Sequence, residues 1–103
     1  MARTLRLADL RASCDRLLAS AEARFGAEVD LDANAVADYW AVDVRSAYSL
    51  CPSPEFSAGD VTDDLAEIQN LLQGPDDEVV LWHDIDHLTG LLRALAYLDL
   101  PSE

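Results

Sequence analysis

Lysine is absent from this sequence, and all seven basic residues are arginine. A mechanism that forms a Schiff base on a lysine amine is therefore excluded within it. The sequence also has no glycine-rich phosphate loop, no dinucleotide-binding fingerprint and no serine-centred nucleophile motif. These absences predict a protein that is not an enzyme and that needs no cofactor.

Long apolar runs and cysteines at metal-binding spacings are missing as well. No stretch approaches the roughly 20 apolar residues of a transmembrane helix. The basic start of the chain is not followed by the apolar segment of a secretory signal. Cys14 and Cys51 fit no metal or redox spacing, so we expect reduced thiols, with Cys14 buried as a small apolar residue. The expectation is a cytoplasmic protein with no membrane partner.

Negative charge is abundant and unevenly distributed. The formal net charge is −13, from 20 acidic and 7 basic residues. Residues 1–25 carry five arginines against three acids, a net of +2, and residues 26–103 carry two arginines against 17 acids, a net of −15. Magnitudes of roughly 2–8 are enough to keep a small domain soluble. The excess predicts a basic protein partner and argues against nucleic acid or an anionic membrane.

Apolar residues recur at helical spacing in the first half of the chain. Residues 3–25 form a predicted amphipathic helix, with Thr4 as its N-cap and Gly26 as its end. Residues 34–48 suit a second helix. The segment near residues 36–44 also alternates as a strand does, so an extended conformation stays open there.

Two further helices are predicted in the second half. The third begins near Asp60, has its apolar residues at positions i, i+4, i+7 and i+11, and ends at Gly74. The fourth covers residues 80–98 and carries a leucine-rich stripe. The predicted fold class is therefore all-α, a bundle of about four helices around one core. We expect one acidic helical domain over residues 1–103.

Two histidines one helical turn apart form the pattern closest to a metal site. His83 and His87 would face the same side of the fourth helix, as two metal ligands must. The surrounding run resembles the extended zinc-protease pattern, but Asp84 occupies the base position and Arg93, which cannot bind zinc, occupies the third-ligand position. The alternative interpretation places both histidines at a helix boundary, where small residues such as Gly90 admit a partner helix and nearby carboxylates bond to the imidazoles.

Acidic clusters and aromatic residues suggest a docking surface. The acidic clusters lack the alternating ligands and turn glycine of a calcium loop. Helix capping and a solvated face explain them structurally, and an anionic docking patch is the functional interpretation. Trp40 and Trp82 are most simply core residues, whereas one of them exposed beside the acids would be an interface hot spot. The predicted partner-binding residues are Asp60, Asp63, Asp64, Asp76, Asp77, Glu78, Trp40 and Tyr48.

Several short motifs resemble a known type of protein. They are Asp38-Tyr39-Trp40, Pro54-Glu55, the run from Gly59 to Leu65 and the run from Leu91 to Leu95. Together they are similar to small acidic bacterial proteins, themselves uncharacterised, that combine an aromatic stretch, a Gly-Xaa-Leu/Val-Xaa-Asp-Asp turn and a C-terminal leucine-rich helix. Proteins of this general kind are often immunity partners of secreted toxins. The resemblance implies an immunity-type function.

The leading hypothesis is a non-enzymatic module that neutralises a basic toxin or nuclease by presenting acids in place of phosphates. The first alternative is a self-associating structural or regulatory subunit, such as a homodimer, whose basic first helix lies against an acidic face of a second copy. The second alternative is a small helical metal-binding protein that uses His83 and His87. The last alternative is that the acidity is merely a halophilic or acidophilic composition and that the chain has no acidic binding site.

Overall fold

The computed structural model describes residues 3–34, 36–50 and 53–101. Its contacts divide the chain into two compact units, Met1–Asp30 and Leu31–Glu103. Cys51 lies outside the described residues, so the expectation of a reduced thiol there stays a prediction. The single domain expected over residues 1–103 also stays a prediction.

Unit 1 contains the first helix, α1, which spans Leu7–Phe25. The helix begins after Arg6, which makes no side-chain capping bond, so the prediction of Thr4 as N-cap is wrong. Gly26 ends the helix as expected. Its N–H donates to the Glu22 carbonyl at 2.8 Å, and its φ of +87° is a conformation that side chains disfavour. Cys14 is half-buried rather than buried.

Unit 2 combines helices with a small sheet. Strand β1 (Asp38–Val42) leads into the short helix α2 (Val44–Ser49), and strand β2 (Phe56–Asp60) leads into α3 (Val61–Gln73). A 3₁₀ turn over Asp76–Glu78 then connects α3 to α4, which spans Leu81–Asp99.

The all-α fold class is wrong, because β1 and β2 pair as a two-stranded antiparallel sheet. The expected helix over residues 34–48 is replaced by β1 and the short α2. Side chains along β1 alternate between exposed and half-buried, as they do in a strand covered on one face. The Asp43 side chain accepts a hydrogen bond from the Ser46 N–H, which caps α2 and ends the strand.

Strand β2 passes directly into α3 without a loop. Asp60 is the last residue of the strand and also the N-cap of the helix, where its side chain accepts from the Thr62 N–H at 2.7 Å. Val61 is the residue that follows Asp60, and its N–H donates to the carbonyl of Ala37, just before β1. The start of α3 is therefore anchored to the end of β2 and to the residue that precedes β1.

Helices α3 and α4 pack against each other, and the buried residues that α4 contributes are the small Gly90 and Ala94. Of the described residues four are buried, and they are Val61, Asp64, Gly90 and Ala94. Burial of Gly90 and Ala94 confirms the expectation that small residues admit a partner helix at this side of α4. The leucine-rich stripe lies elsewhere on α4, and Leu81 and Ile85 are 68% and 51% exposed. Within the described part of the chain, no helix has the length and apolar character required to cross a bilayer.

The capping role of Asp60 is testable by substitution. Asp60→Ala removes the acceptor for the Thr62 N–H, and we expect it to lower the free energy of unfolding by about 1 kcal/mol in urea denaturation. Asp60→Asn keeps an acceptor oxygen and should lower the free energy of unfolding by no more than a few tenths of a kcal/mol. An equal loss in both variants would contradict the capping role.

Candidate functional site

A buried carboxylate lies where the sheet and the two long helices of unit 2 meet. Asp64, in the first turn of α3, is only 2% exposed. Its Oδ2 accepts a hydrogen bond from the Tyr39 hydroxyl of β1 at 2.6 Å, and its Oδ1 lies 2.7 Å from Nδ1 of His87 on α4. A buried carboxylate is costly without partners, and here both oxygens have one. Asp64 thereby joins three elements.

Tyr39 connects the inner face of the sheet to this carboxylate. Burial raises the pKa of the Tyr39 phenol well above its usual value, and the hydrogen bond to Asp64 and the negative charge of that carboxylate raise it further. The phenol therefore stays protonated and donates to Asp64 throughout the neutral range.

His87 continues the network from Asp64 towards the surface. An ionised carboxylate can only accept, so Nδ1 of a neutral His87 carries the proton and Nε2 presents its lone pair. Nε2 of His87 lies 3.3 Å from Nε2 of His83, one turn earlier on α4. The expectation that the two imidazoles share one side of the helix is confirmed.

Carboxylates from two helices surround the outer imidazole. Oε2 of Glu67 on α3 lies 4.0 Å from Nδ1 of His83, and Oδ1 of Asp84 lies 3.9 Å from the same nitrogen. Ligand atoms of Glu67, His83 and His87 all lie within 4.8 Å of one another, which groups them as a set able to hold a metal ion. The carboxylate that bonds to an imidazole here is Asp64, so the prediction that Asp64 belongs to an exposed docking patch is wrong.

Two glycines leave room for the buried hydrogen bonds. A Cβ at Gly90 would overlap both the Asp64 carboxylate and the Tyr39 hydroxyl, and a Cβ at Gly59 would overlap the Tyr39 ring. Gly59 is the cross-strand partner of Tyr39, so the ring lies over its backbone. The absence of side chains at both positions is therefore a packing requirement of the site.

The predicted docking acids do not form one surface. Asp60 and Asp63 are exposed at the start of α3, but the burial of Asp64 removes it from any docking surface. The acids of the 3₁₀ turn (Asp76–Glu78) are exposed beyond the other end of the same helix. The 13 residues of α3 separate the two groups by about 20 Å at a rise of about 1.5 Å per residue.

The tryptophans are exposed, so the expectation that they lie in the core is wrong. Trp40 is 75% exposed and Trp82 is 67% exposed, and Tyr48 on α2 is 91% exposed. The four buried residues of the described part of the chain are Val61, Asp64, Gly90 and Ala94, and none of them is aromatic.

The outward side of the sheet brings Trp40 together with acids, and we name it the sheet face. It consists of the alternate residues of β1 and their cross-strand partners in β2. These residues are Asp38, Trp40, Val42, Phe56, Ala58 and Asp60. All six are exposed. Asp38 pairs with Asp60 at one end, and Val42 pairs with Phe56 at the other.

Comparisons of this chain with protein-family models, curated proteins and solved structures found no match. The resemblance to acidic bacterial proteins of the immunity type therefore stays a prediction.

Gly90→Ala tests whether the buried network needs this packing space. Alanine favours a helix by up to about 1 kcal/mol over glycine, yet the added methyl overlaps Asp64 and Tyr39. We expect a net loss of about 2 kcal/mol in the free energy of unfolding. The matched control is Thr89→Ala, at an exposed neighbouring position of α4, which should change stability by less than about 0.5 kcal/mol. A stabilised Gly90→Ala variant would refute the packing account.

Tyr39→Phe tests the phenol that donates to Asp64. At neutral pH the loss of a hydrogen bond to a charged group should cost about 2 kcal/mol. Because the folded-state pKa of Tyr39 is raised, its ionisation favours unfolding, and its stabilising contribution is lost as pH rises above about 10. Alkaline denaturation should therefore be less steep in Tyr39→Phe than in the wild type. Tyr48→Phe, at an exposed tyrosine, should retain the wild-type pH dependence, and identical profiles for all three proteins would contradict the assignment.

Proposed function

We propose that unit 2 is a non-enzymatic interaction module that binds a basic protein on the sheet face. The observation that carries this proposal is the pairing of Asp38 with Asp60, two residues from the exposed Trp40. Like charges directly opposite each other on one face of a sheet lower stability. A guanidinium or ammonium group of a partner would relieve that repulsion on binding.

The apolar part of the sheet face would supply binding energy. Trp40 and Phe56 are 75% and 62% exposed, and tryptophan is among the residues most enriched at interface hot spots. A groove of about 600 Å³ begins at Trp40, continues past residues of the inner side such as Tyr39, and is also lined by Arg93, Tyr97 and Leu100. It offers space for an apolar side chain of the partner. An aromatic anchor beside paired acids favours a protein partner over a small cation.

The inner side of the sheet would hold this face in place. Tyr39 lies between Asp38 and Trp40 in β1, points to the opposite side and donates to buried Asp64. The sheet is therefore fixed to α3 and α4, so little conformational freedom has to be lost when a partner binds.

Charge would speed the encounter with such a partner. Residues 26–103 carry a net charge of −15, which attracts a basic protein and repels nucleic acid. The class of partner proposed from the sequence is a basic toxin or nuclease, with this chain acting as its neutraliser in the cytoplasm. Acids on the sheet face would then occupy the partner positions that otherwise bind phosphates.

The proposal is tested by capturing the partner from an extract of the source cells at low salt and measuring its affinity after purification. Trp40→Ala should weaken binding by about 2 kcal/mol, the usual threshold of a hot spot. Asp38→Asn/Asp60→Asn should weaken binding and reduce its salt dependence. It should change the stability of the free protein by no more than a few tenths of a kcal/mol, because loss of the like-charge pair offsets the weaker helix cap.

The matched control is Asp76→Asn/Asp77→Asn, which removes the same charge beyond the other end of α3. It should retain tight binding and lose only part of the long-range attraction. Equal weakening by both double variants would show that the overall charge, not the sheet face, directs binding. Capture of nothing except further copies of the chain would replace the proposal with self-association.

A further inference from the structure

A second group of side chains lies where α3 and α4 face each other, and it consists of Glu67, His83 and His87. The proposed interaction with a basic protein does not use it. We infer that Glu67, His83 and His87 form a binding site for one zinc ion, with Asp64 as the residue that positions His87. The cluster draws on two helices and lies apart from the residues of the sheet face.

The distance between the two imidazoles fits a shared metal. Tetrahedral zinc with metal–nitrogen bonds of about 2.0–2.1 Å holds two ligand nitrogens about 3.3 Å apart. The Nε2 atoms of His83 and His87 are 3.3 Å apart, and the ring centroids are 4.6 Å apart. The same spacing allows a hydrogen bond between the rings when no metal is bound, so the site needs little rearrangement to take up an ion.

The buried carboxylate supplies an independent argument. A histidine that binds a metal through one nitrogen usually donates its other N–H to a carboxylate or carbonyl, which fixes the ring and its tautomer. Nδ1 of His87 is 2.7 Å from Oδ1 of Asp64, and Asp64 is itself held by the Tyr39 hydroxyl. His87 is thus oriented with its Nε2 lone pair towards His83.

The donor set selects the class of metal. Two imidazoles and one carboxylate oxygen favour zinc and similar transition metals, whereas calcium and magnesium prefer sites built from oxygen alone. Glu67 completes the set from α3, one turn after Asp64. The side chains of His83 and Glu67 are 41% and 37% exposed, so the ion can enter from solvent and water can fill the fourth position.

The test is a titration of the full-length, tag-free chain with zinc chloride in competition with a chromophoric chelator. The expected result is one equivalent bound, with a rise in thermal stability on zinc addition. His83→Gln and His87→Gln should each weaken zinc binding by more than about 100-fold. That figure is the upper end of the loss caused by removing a residue that only positions a ligand. Asp64→Asn should weaken it by about 10- to 100-fold, because the ring of His87 loses its fixed orientation.

The matched control is Asp63→Asn, which removes an exposed carboxylate next to Asp64 and outside the ligand set. It should leave zinc affinity unchanged, as should Trp40→Ala on the sheet face. Absence of zinc binding by the wild-type chain would overturn the inference. Binding that survives both histidine substitutions would overturn it as well.

Cobalt provides a readout that does not depend on how the variants fold. Co²⁺ added to the wild-type chain should give the intense visible absorption of a tetrahedral site, and zinc should displace it. The weak spectrum of an octahedral ion would contradict the proposed coordination.

Discussion

The buried carboxylate of Asp64 is the constraint on which the arrangement of unit 2 depends. It accepts one hydrogen bond from Tyr39 on the sheet and one from His87 on α4, while its own backbone belongs to α3. Gly90 is the position on α4 that leaves space for both partners. The sheet therefore has a fixed inner side, and its outer side with Trp40 remains exposed. The proposed docking face and the proposed zinc site both depend on this one group.

Helices were easier to predict than strands in this chain, for a local reason. α1, α3 and α4 carry apolar residues at helical spacing, and Gly26 and Gly74 mark the ends of the first two. Strand β2 (Phe56–Asp60) holds one large apolar residue and shows no alternation, because it exists through pairing with β1. That pairing spans 14 to 22 positions of the chain, and no local pattern reveals it.

The site was predictable only in part. The spacing of His83 and His87 places them together on any helix, and the structure confirms that. The sequence predicts Asp64 to be a surface acid, because a paired carboxylate and a solvated one look the same in sequence. One signal was available, since Asp64 lies three residues after Val61 and four before Ile68, at the edge of the apolar side of α3. Its partners, 23 and 25 residues distant, depend on how the elements pack.

The most direct test of this account is the free energy of unfolding of Asp64→Ala beside that of Asp63→Ala. The two substitutions remove the same group from adjacent positions of α3, one buried and one exposed. The account predicts a loss of about 3 kcal/mol for Asp64→Ala, since two buried hydrogen bonds disappear. For Asp63→Ala it predicts a change within about 0.5 kcal/mol. A similarly small change for both would show that Asp64 does not hold the sheet to the helices.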